Sequence, residues 1–448
     1  MITARDYQIN AINKFRNNQW RGILEMATGT GKTITSLLID NEYKNINKGI
    51  FLIILVPFKH LVDQWEENCE LLGFRNLLKC YGLKDSWKYK LQGKVRDFNI
   101  GISEMEVVIS TYKTASSIEF NEIIGEIRSR SFIIGDECHY FGIKGLRNHN
   151  FNGIDARLGL SATPDRWWDN NGTTFLREFF GDTIYEYSME EAISNSILTE
   201  YKYSPIIIDL IEEEAKRYEY FTKILINKIN SKNADKEEIE EINRKRSMIL
   251  SKAKNKKDTL FEIFKNKNIN EVSHTLVYCA PGEINEITLQ LSYIGYRVHR
   301  FDSNVPLKER GKVLKYFSIG EIQILVAIKC LDEGVDVPST REAYFLASTS
   351  NPREFIQRRG RVLRRAKGKN LAQIYDFIVI PSNISERLYK TIVSKELPRF
   401  AEFSRYAIDR FQARSLISPY LRIYSLEYLM DKLPWDVYNE MMELREEI

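Results

Sequence analysis

Ala27-Thr28-Gly29-Thr30-Gly31-Lys32-Thr33 is the stretch whose reading decides the fold. A short apolar entry, Gly22-Ile23-Leu24, precedes it, and a helical pattern from Ile34 to Asn41 follows, so strand, glycine-rich loop and helix are expected in that order. Gly29 and Gly31 let the backbone turn tightly and aim its amide hydrogens at one anion. Lys32 adds a positive charge for outer phosphates, and Thr33 offers a hydroxyl to a magnesium ion. The general pattern G-x-x-x-x-G-K-[ST] has Gly where this chain has Met26. A glycine turn that merely caps a helix is the competing reading, and a Lys-Thr pair at this offset argues against it.

Composition sets the bounds around that loop. A chain of 448 residues suits about two to four domains. Apolar residues make up 43%, enough for ordinary buried cores. The net charge is only +4, so a nucleic-acid partner requires a local basic groove and is not announced by total charge. The five cysteines form no CxxC pair, which argues against a zinc site or a disulfide framework and fits a reducing compartment. Met1-Ile2-Thr3-Ala4-Arg5 leads into no apolar signal segment, and no apolar run reaches the ~18 residues of a membrane span. A soluble, cytoplasmic protein without membrane contact is the expectation.

Upstream of the loop lie Arg5, Tyr7 and Gln8, then a helical pattern with Ile9, Ile12 and Phe15 on one face. An amide such as that of Gln8 reads adenine well, because it accepts and donates at once; a surface Gln at a helix start is the plainer alternative. Downstream, Ile50 to Val56 is an apolar run ending at Pro57, as in a parallel strand buried on both faces. His60 to Trp65 starts a helix, and Val107 to Tyr112 reads as a strand ending in hydroxyl groups. Ser131 to Gly135 is an apolar strand followed by Asp136-Glu137-Cys138-His139. Carboxylates at the end of such a strand sit at the edge where open α/β sheets bind ligands. Asp136 suits a magnesium ion, and Glu137 suits orienting and deprotonating a water; a helix N-cap is the alternative. Ser161 and Thr163, in Leu158 to Pro164, offer links from the nucleotide site or simple turn chemistry. Trp167 and Trp168 offer base stacking or helix packing.

Residues 188 to 200 read as helix and linker. From Ile211 to Lys267 the composition turns to Lys, Glu and Asn, and Phe221, Leu225 and Ile229 recur every four residues, which predicts a helical hairpin. The acidic run at Glu237 to Glu241 reads as a solvated face, and the basic run Lys252 to Lys257 as solvated or touching phosphate. A second α/β pattern follows: strands at Thr275 to Cys279, Tyr296 to Arg300 and Ile322 to Ala327, with helices at Ile284 to Tyr293 and Leu307 to Phe317. A parallel sheet is thus expected twice. Gly334 permits close backbone approach and Asp336 suits a ribose hydroxyl. Gln357 to Arg364 opens a helix with Arg361 and Arg364 on one face, a pair that suits a triphosphate during cleavage or a plain basic surface. Residues after 381 turn helical again.

In combination these pieces resemble a superfamily 2 helicase or translocase of the DEAD/DEAH type. Arg5-Asp6-Tyr7-Gln8, residues 27 to 33, Asp136-Glu137-Cys138-His139, Ser161-Ala162-Thr163, the Gly334/Asp336 segment and Gln357 to Arg364 carry the resemblance over about residues 1 to 380. The Leu158 to Arg166 stretch is most similar to excision-repair translocases and restriction-enzyme motor subunits, and His139 in place of Asp sets the chain apart from DEAD-box RNA unwinders. The resemblance implies an α/β fold of two tandem RecA-like parallel-sheet lobes. The expected division is an ATP-binding lobe at 1–187, a linker and helical insertion at 188–270, a second lobe at 271–380 and a helical tail at 381–448. It implies ATP and Mg2+ as cofactors. Lys32 and Thr33, with Thr28, Gly29, Thr30 and Gly31 of the loop before them, would hold phosphates and magnesium. Asp136 and Glu137 would be the magnesium and water carboxylates, with Arg5 and Gln8 at adenine. Arg361 and Arg364 would act as arginine fingers, with Gln357 nearby. Pro57, Thr111 and the Ser303-Asn304 loop fall where such proteins track a nucleic-acid backbone, and Met26 is tolerated there. The implied function is ATP-driven movement on single- or double-stranded DNA. Alternatives are a non-unwinding translocase subunit of a restriction or phage-defence complex, or an RNA-dependent ATPase switch. No D…ExK nuclease arrangement stands outside the motor lobes, so cutting would fall to a nuclease, defence or repair partner.

Overall fold

The computed structural model describes residues 3–147, 151, 153–166, 169–231, 236–328, 337–347, 351–437 and 439–440. The chain divides into two compact units, Met1–Asn195 and Ser196–Ile448.

The first unit is built on β1 (Arg21–Met26), β2 (Ile50–Val56), β3 (Leu77–Cys80), β4 (Met105–Thr111), β5 (Ser131–Asp136), β6 (Ala156–Ser161) and β7 (Thr183–Tyr187). Their order in the sheet is β3-β4-β2-β5-β6-β1-β7, and every neighbouring pair is parallel. All seven residues of β2 are buried, as its unbroken apolar run requires of a central strand covered on both faces. Because the strands are parallel, their carboxyl ends share one edge, and the glycine loop after β1, the acidic pair after β5 and the Ser161–Thr163 turn after β6 all emerge there.

The second unit contains β8 (Glu200–Ile208), β9 (Thr275–Tyr278), β10 (Val298–Phe301), β11 (Ile324–Ala327), β12 (Glu342–Phe345) and β13 (Leu371–Val379), ordered β10-β11-β9-β12-β13-β8 and again parallel throughout. The architecture is two all-parallel sheets with helices, as two RecA-like lobes have.

Several local expectations need correction. In the helix Asp6–Asn17 the buried residues are Tyr7, Gln8, Ala11 and Phe15, while Ile9 is exposed, so the face that packs is rotated from the Ile9–Ile12–Phe15 pattern. The helix after the glycine loop runs Lys32–Asn47, longer at both ends than expected. The stretch 211–267 forms three helices, Glu212–Ile229, Lys236–Ser251 and Lys254–Asn266, and Ile229 is exposed. Residues 200–208, within the stretch read as linker and insertion, form the edge strand β8. Within the basic run, Lys256 is buried and donates to Leu346 O at 2.8 Å, so that residue is not solvated. Gln357 to Arg364 does not open a helix: the helix is Pro352–Val362, and Arg364 lies beyond its end. Gly334, Asp336, Trp167 and Trp168 lie outside the described residues. Among the described residues no helix is long and apolar enough to cross a membrane.

Candidate functional site

Gly29 and Gly31 have φ of +90° and +83°, the left-handed region that L side chains rarely adopt, and Gly31 is the N-cap of the Lys32–Asn47 helix. Met26 is the last residue of β1 and is fully buried. It belongs to the core, which explains why Gly is not needed there. The loop is braced from within and from the first helix. Thr30 donates to Ala27 O from N at 3.3 Å and from Oγ1 at 2.7 Å. Tyr7 Oη donates to Thr30 O at 2.6 Å, and the Tyr7 ring stacks on Tyr187 with centroids 4.2 Å apart. Gln8 Nε2 donates to Thr35 Oγ1 at 3.0 Å, Thr35 Oγ1 donates to Gly31 O at 3.0 Å, and Gln8 Oε1 accepts from Arg5 N at 3.0 Å. These bonds leave the Gln8 amide one hydrogen and one lone pair, the pair of functions an adenine edge uses. Lys32 Nζ donates to Met26 O at 3.2 Å, folded back over the loop.

Asp136 ends β5 one strand from β6, which in turn pairs with β1. Its Oδ1 accepts from Glu137 N at 3.0 Å and its Oδ2 from Trp65 Nε1 at 2.8 Å. Burial, then the charge of Glu137, pushes the Asp136 carboxyl up to about 6, against the pull of the Trp65 bond and the Lys32 charge. Glu137 has φ 46° and ψ 56°, a left-handed conformation that costs a non-glycine residue of order 1 kcal/mol and recurs at functional sites. His139 Nδ1 lies 3.5 Å from both Glu137 Oε2 and Ser161 Oγ, and Ser161 Oγ accepts from Thr163 N at 3.1 Å. Ser161 is therefore linked to the acidic box through His139. Sequence reasoning passed over Trp65, and also Glu25, whose carboxyl burial lifts to about 7 beside Glu186 and Asp165.

These residues fit Mg2+ and a nucleotide. Among the described residues Thr28 Oγ1 and Glu137 Oε2 are buried without a hydrogen-bond partner, and the left-handed glycines open a backbone cradle at a helix N-terminus. A buried carboxyl with raised proton affinity is one that a divalent cation holds ionised.

The same sheet edge continues outward. After β2, Phe58 and Lys59 are exposed, and after β4, Lys113 is exposed. Lys59 Nζ lies 5.9 Å from the Tyr81 ring centroid beyond β3. Thr111 Oγ1 is 3.1 Å from Thr114 Oγ1. Phe58 packs edge-on against Tyr140, Tyr140 stacks with Tyr112, and Tyr112 Oη donates to Asp136 O at 2.9 Å. An aromatic chain thus joins the basic outer end of the sheet to the backbone of Asp136. Tyr112 and Tyr140 carried no signal of this in sequence.

In the second unit Gln357 and Arg361 are buried on the Pro352–Val362 helix, and Gln357 Nε2 has no hydrogen-bond partner among the described residues. Arg364 is half-buried. Ser303 and Asn304 are exposed after β10, where Asn304 Nδ2 donates to Asp302 Oδ2 at 3.0 Å.

A parallel sheet with a glycine phosphate loop after one strand and an acidic pair after another, followed by a second parallel sheet with an arginine-bearing helix, defines a tandem RecA-like ATP hydrolase. The family model described as type III restriction enzyme, res subunit, matches residues 1–166, and the helicase conserved C-terminal domain model matches residues 255–366. The DNA 3'-5' translocase XPB2 of Sulfurisphaera tokodaii is 26% identical over 81% of this chain and 79% of its own length. The Hef helicase domain of Pyrococcus furiosus shares the fold with a TM-score of 0.54 at 17% identity, over 87% of this chain and 97% of that one. The DNA-bound type ISP restriction-modification enzyme LlaBIII does so with a TM-score of 0.61 at 20% identity, over 91% of this chain but only 30% of that one. These matches make the chain similar to the helicases and translocases of superfamily 2.

Proposed function

We propose that the chain couples ATP hydrolysis to movement along DNA. The observation that carries this is the shared sheet edge of the first unit. The residues suited to hydrolysis and an exposed basic, aromatic stretch leave the same edge, and Tyr112 ties the end of β4 to the backbone of Asp136. The XPB2 relative is named as a DNA translocase, which favours DNA over RNA.

Each residue then has a task. Gln8 and Arg5 hold the base, and Thr28 to Thr30 with Gly31 wrap the phosphates in backbone amides. Lys32 exchanges its bond to Met26 O for the outer phosphates. Thr33 and Asp136 hold the magnesium ion. Glu137, kept at its odd backbone angle by the strand end, takes the proton of the attacking water. Arg361 and Arg364 meet the charge that develops on cleavage, with Gln357 beside them, while Gly334 and Asp336 serve the ribose. Mg-ATP supplies the cleavable phosphoanhydride and a neutralising charge. Pro57, Lys59, Thr111 and Lys113 on one unit and Ser303-Asn304 on the other contact the nucleic-acid backbone, and conformational steps coupled to ATP turnover that make and break these contacts in alternation advance the protein.

A second reading, a translocase subunit that moves on duplex DNA without separating strands inside a restriction or defence assembly, draws on the match to the type III restriction model. A nuclease or defence partner would then do the cutting, in the cytoplasm. The test is displacement of a third strand from a triplex, run beside strand separation of a forked duplex. Displacement without separation supports the translocase, and separation supports the helicase. ATP consumption with neither refutes movement and leaves a nucleotide switch.

A further inference from the structure

Arg361 lies in the last turn of the Pro352–Val362 helix and Arg364 just past its C-cap, where carbonyls lose their intrahelical partners. Three of those carbonyls are taken up from outside. Lys369 Nζ donates to Val362 O, to Arg364 O at 2.7 Å and to Pro338 O at 3.3 Å. Thr199 N donates to Leu363 O at 2.7 Å, and Leu198 bridges Arg364. A buried ammonium at this end also suits the helix dipole.

The body of the helix is held by Arg359, which is 1% exposed. Its guanidinium donates to the Glu402 backbone carbonyl and to Glu402 Oε1, approaches Tyr201 Oη at 3.5 Å and lies over the Phe403 ring. Glu402 belongs to the tail helix Glu386–Ser404. Glu396, Arg399 and Glu402 recur every third residue along that helix, and the first two bind the sheet. Arg399 Nε donates to Asp376 Oδ1 of β13 at 2.9 Å, Arg399 Nη2 donates to Glu396 Oε2 at 2.9 Å, and Glu396 Oε2 accepts from Val379 N at 3.3 Å. One charged group of the tail is bolted to the sheet and the next grips the arginine helix.

We propose that Arg359 and Glu402 form a latch through which the tail helix positions Arg361 and Arg364 for ATP hydrolysis. The inference rests on the proposed role of those two arginines. Adhesion alone does not require a buried ion pair, since well-packed apolar side chains of similar volume hold two helices at least as well. A guanidinium gripping a carboxylate and a carbonyl at once fixes the register and rotation of the helix, which apolar packing leaves looser. Arg359 is two residues from Arg361, so its setting is transmitted directly.

The decisive variant is Arg359→Met/Glu402→Leu in the full chain, which removes both charges and leaves none buried alone. Glu402→Gln is the milder companion. For each, kcat and KM for ATP are measured with saturating duplex DNA, together with affinity for a fluorescent ADP analogue and the urea midpoint. The latch predicts that kcat of the double variant falls by roughly tenfold or more while KM, ADP affinity and midpoint stay near the parent's. A folded double variant with the parent's kcat overturns it, as does a loss of kcat that merely follows a loss of midpoint. Arg361→Ala separates the two levels: if that variant keeps the parent kcat, the arginine role itself fails. If it loses activity while the double variant keeps it, only the latch fails.

Discussion

Asp40 lies in the middle of the helix that the glycine loop starts, fully buried, and neither carboxylate oxygen has a hydrogen-bond partner among the described residues. Burial alone lifts its proton affinity well above the ordinary aspartate value of 3.8. The folded protein therefore holds the Asp40 proton more tightly than the unfolded chain does. The stability this contributes is fully present below pH 3.8 and is lost as pH rises towards the folded value. Between those limits the loss approaches the one-proton slope of about 1.4 kcal/mol per pH unit. Asp40→Asn keeps the shape and removes the titration. The stability of the variant relative to the parent should climb with that slope, since all other groups cancel in the difference. The assay is urea unfolding of both proteins at several pH values, followed by tryptophan fluorescence. Trp20, Trp65, Trp87, Trp167 and Trp168, of six tryptophans, precede residue 196, so the signal reports the first unit. A parent-to-variant difference that does not change with pH refutes the reasoning, because it means the carboxyl is solvated or paired.

Other predictions concern the site. Glu137→Gln should bind a fluorescent ATP analogue as the parent does and hydrolyse ATP about 10²- to 10⁴-fold more slowly; hydrolysis at the parent rate removes Glu137 from the chemistry. Trp65→Phe deletes the 2.8 Å donor to Asp136, a bond to a charged group of ~1.5–3 kcal/mol, so the Mg2+ concentration for half-maximal turnover should rise roughly tenfold. An unchanged Mg2+ requirement removes the Trp65–Asp136 bond from metal binding. Lys59→Ala and Lys113→Ala should each weaken DNA binding across sequences and flatten the plot of log affinity against log salt by about 0.9 for every phosphate no longer neutralised. An unaltered salt slope moves the nucleic acid off this edge.

What was legible in sequence was local. The loop, the run Ile50 to Val56 and the acidic pair after β5 each declare themselves within a few residues, because strand burial and loop geometry are set by neighbours. What was missed is tertiary or marginal. Trp65 reaches Asp136 across 71 residues, and Arg359 reaches Glu402 across 43. β3 has only four residues. β8 contains Pro205, which argues against a central strand, and it is tolerated because β8 stands at the sheet edge. The Ile9–Ile12–Phe15 pattern was misleading because Tyr7 and Gln8 are drawn inward by the phosphate loop, turning the helix about its axis.

The most direct measurement is steady-state ATP hydrolysis by the purified chain without nucleic acid and with single-stranded, duplex and forked DNA and RNA, at two salt concentrations. The account predicts strong stimulation by DNA that weakens at higher salt, and little by RNA. Equal rates under every condition would contradict an autonomous DNA motor and point to an ATPase that waits for a partner protein.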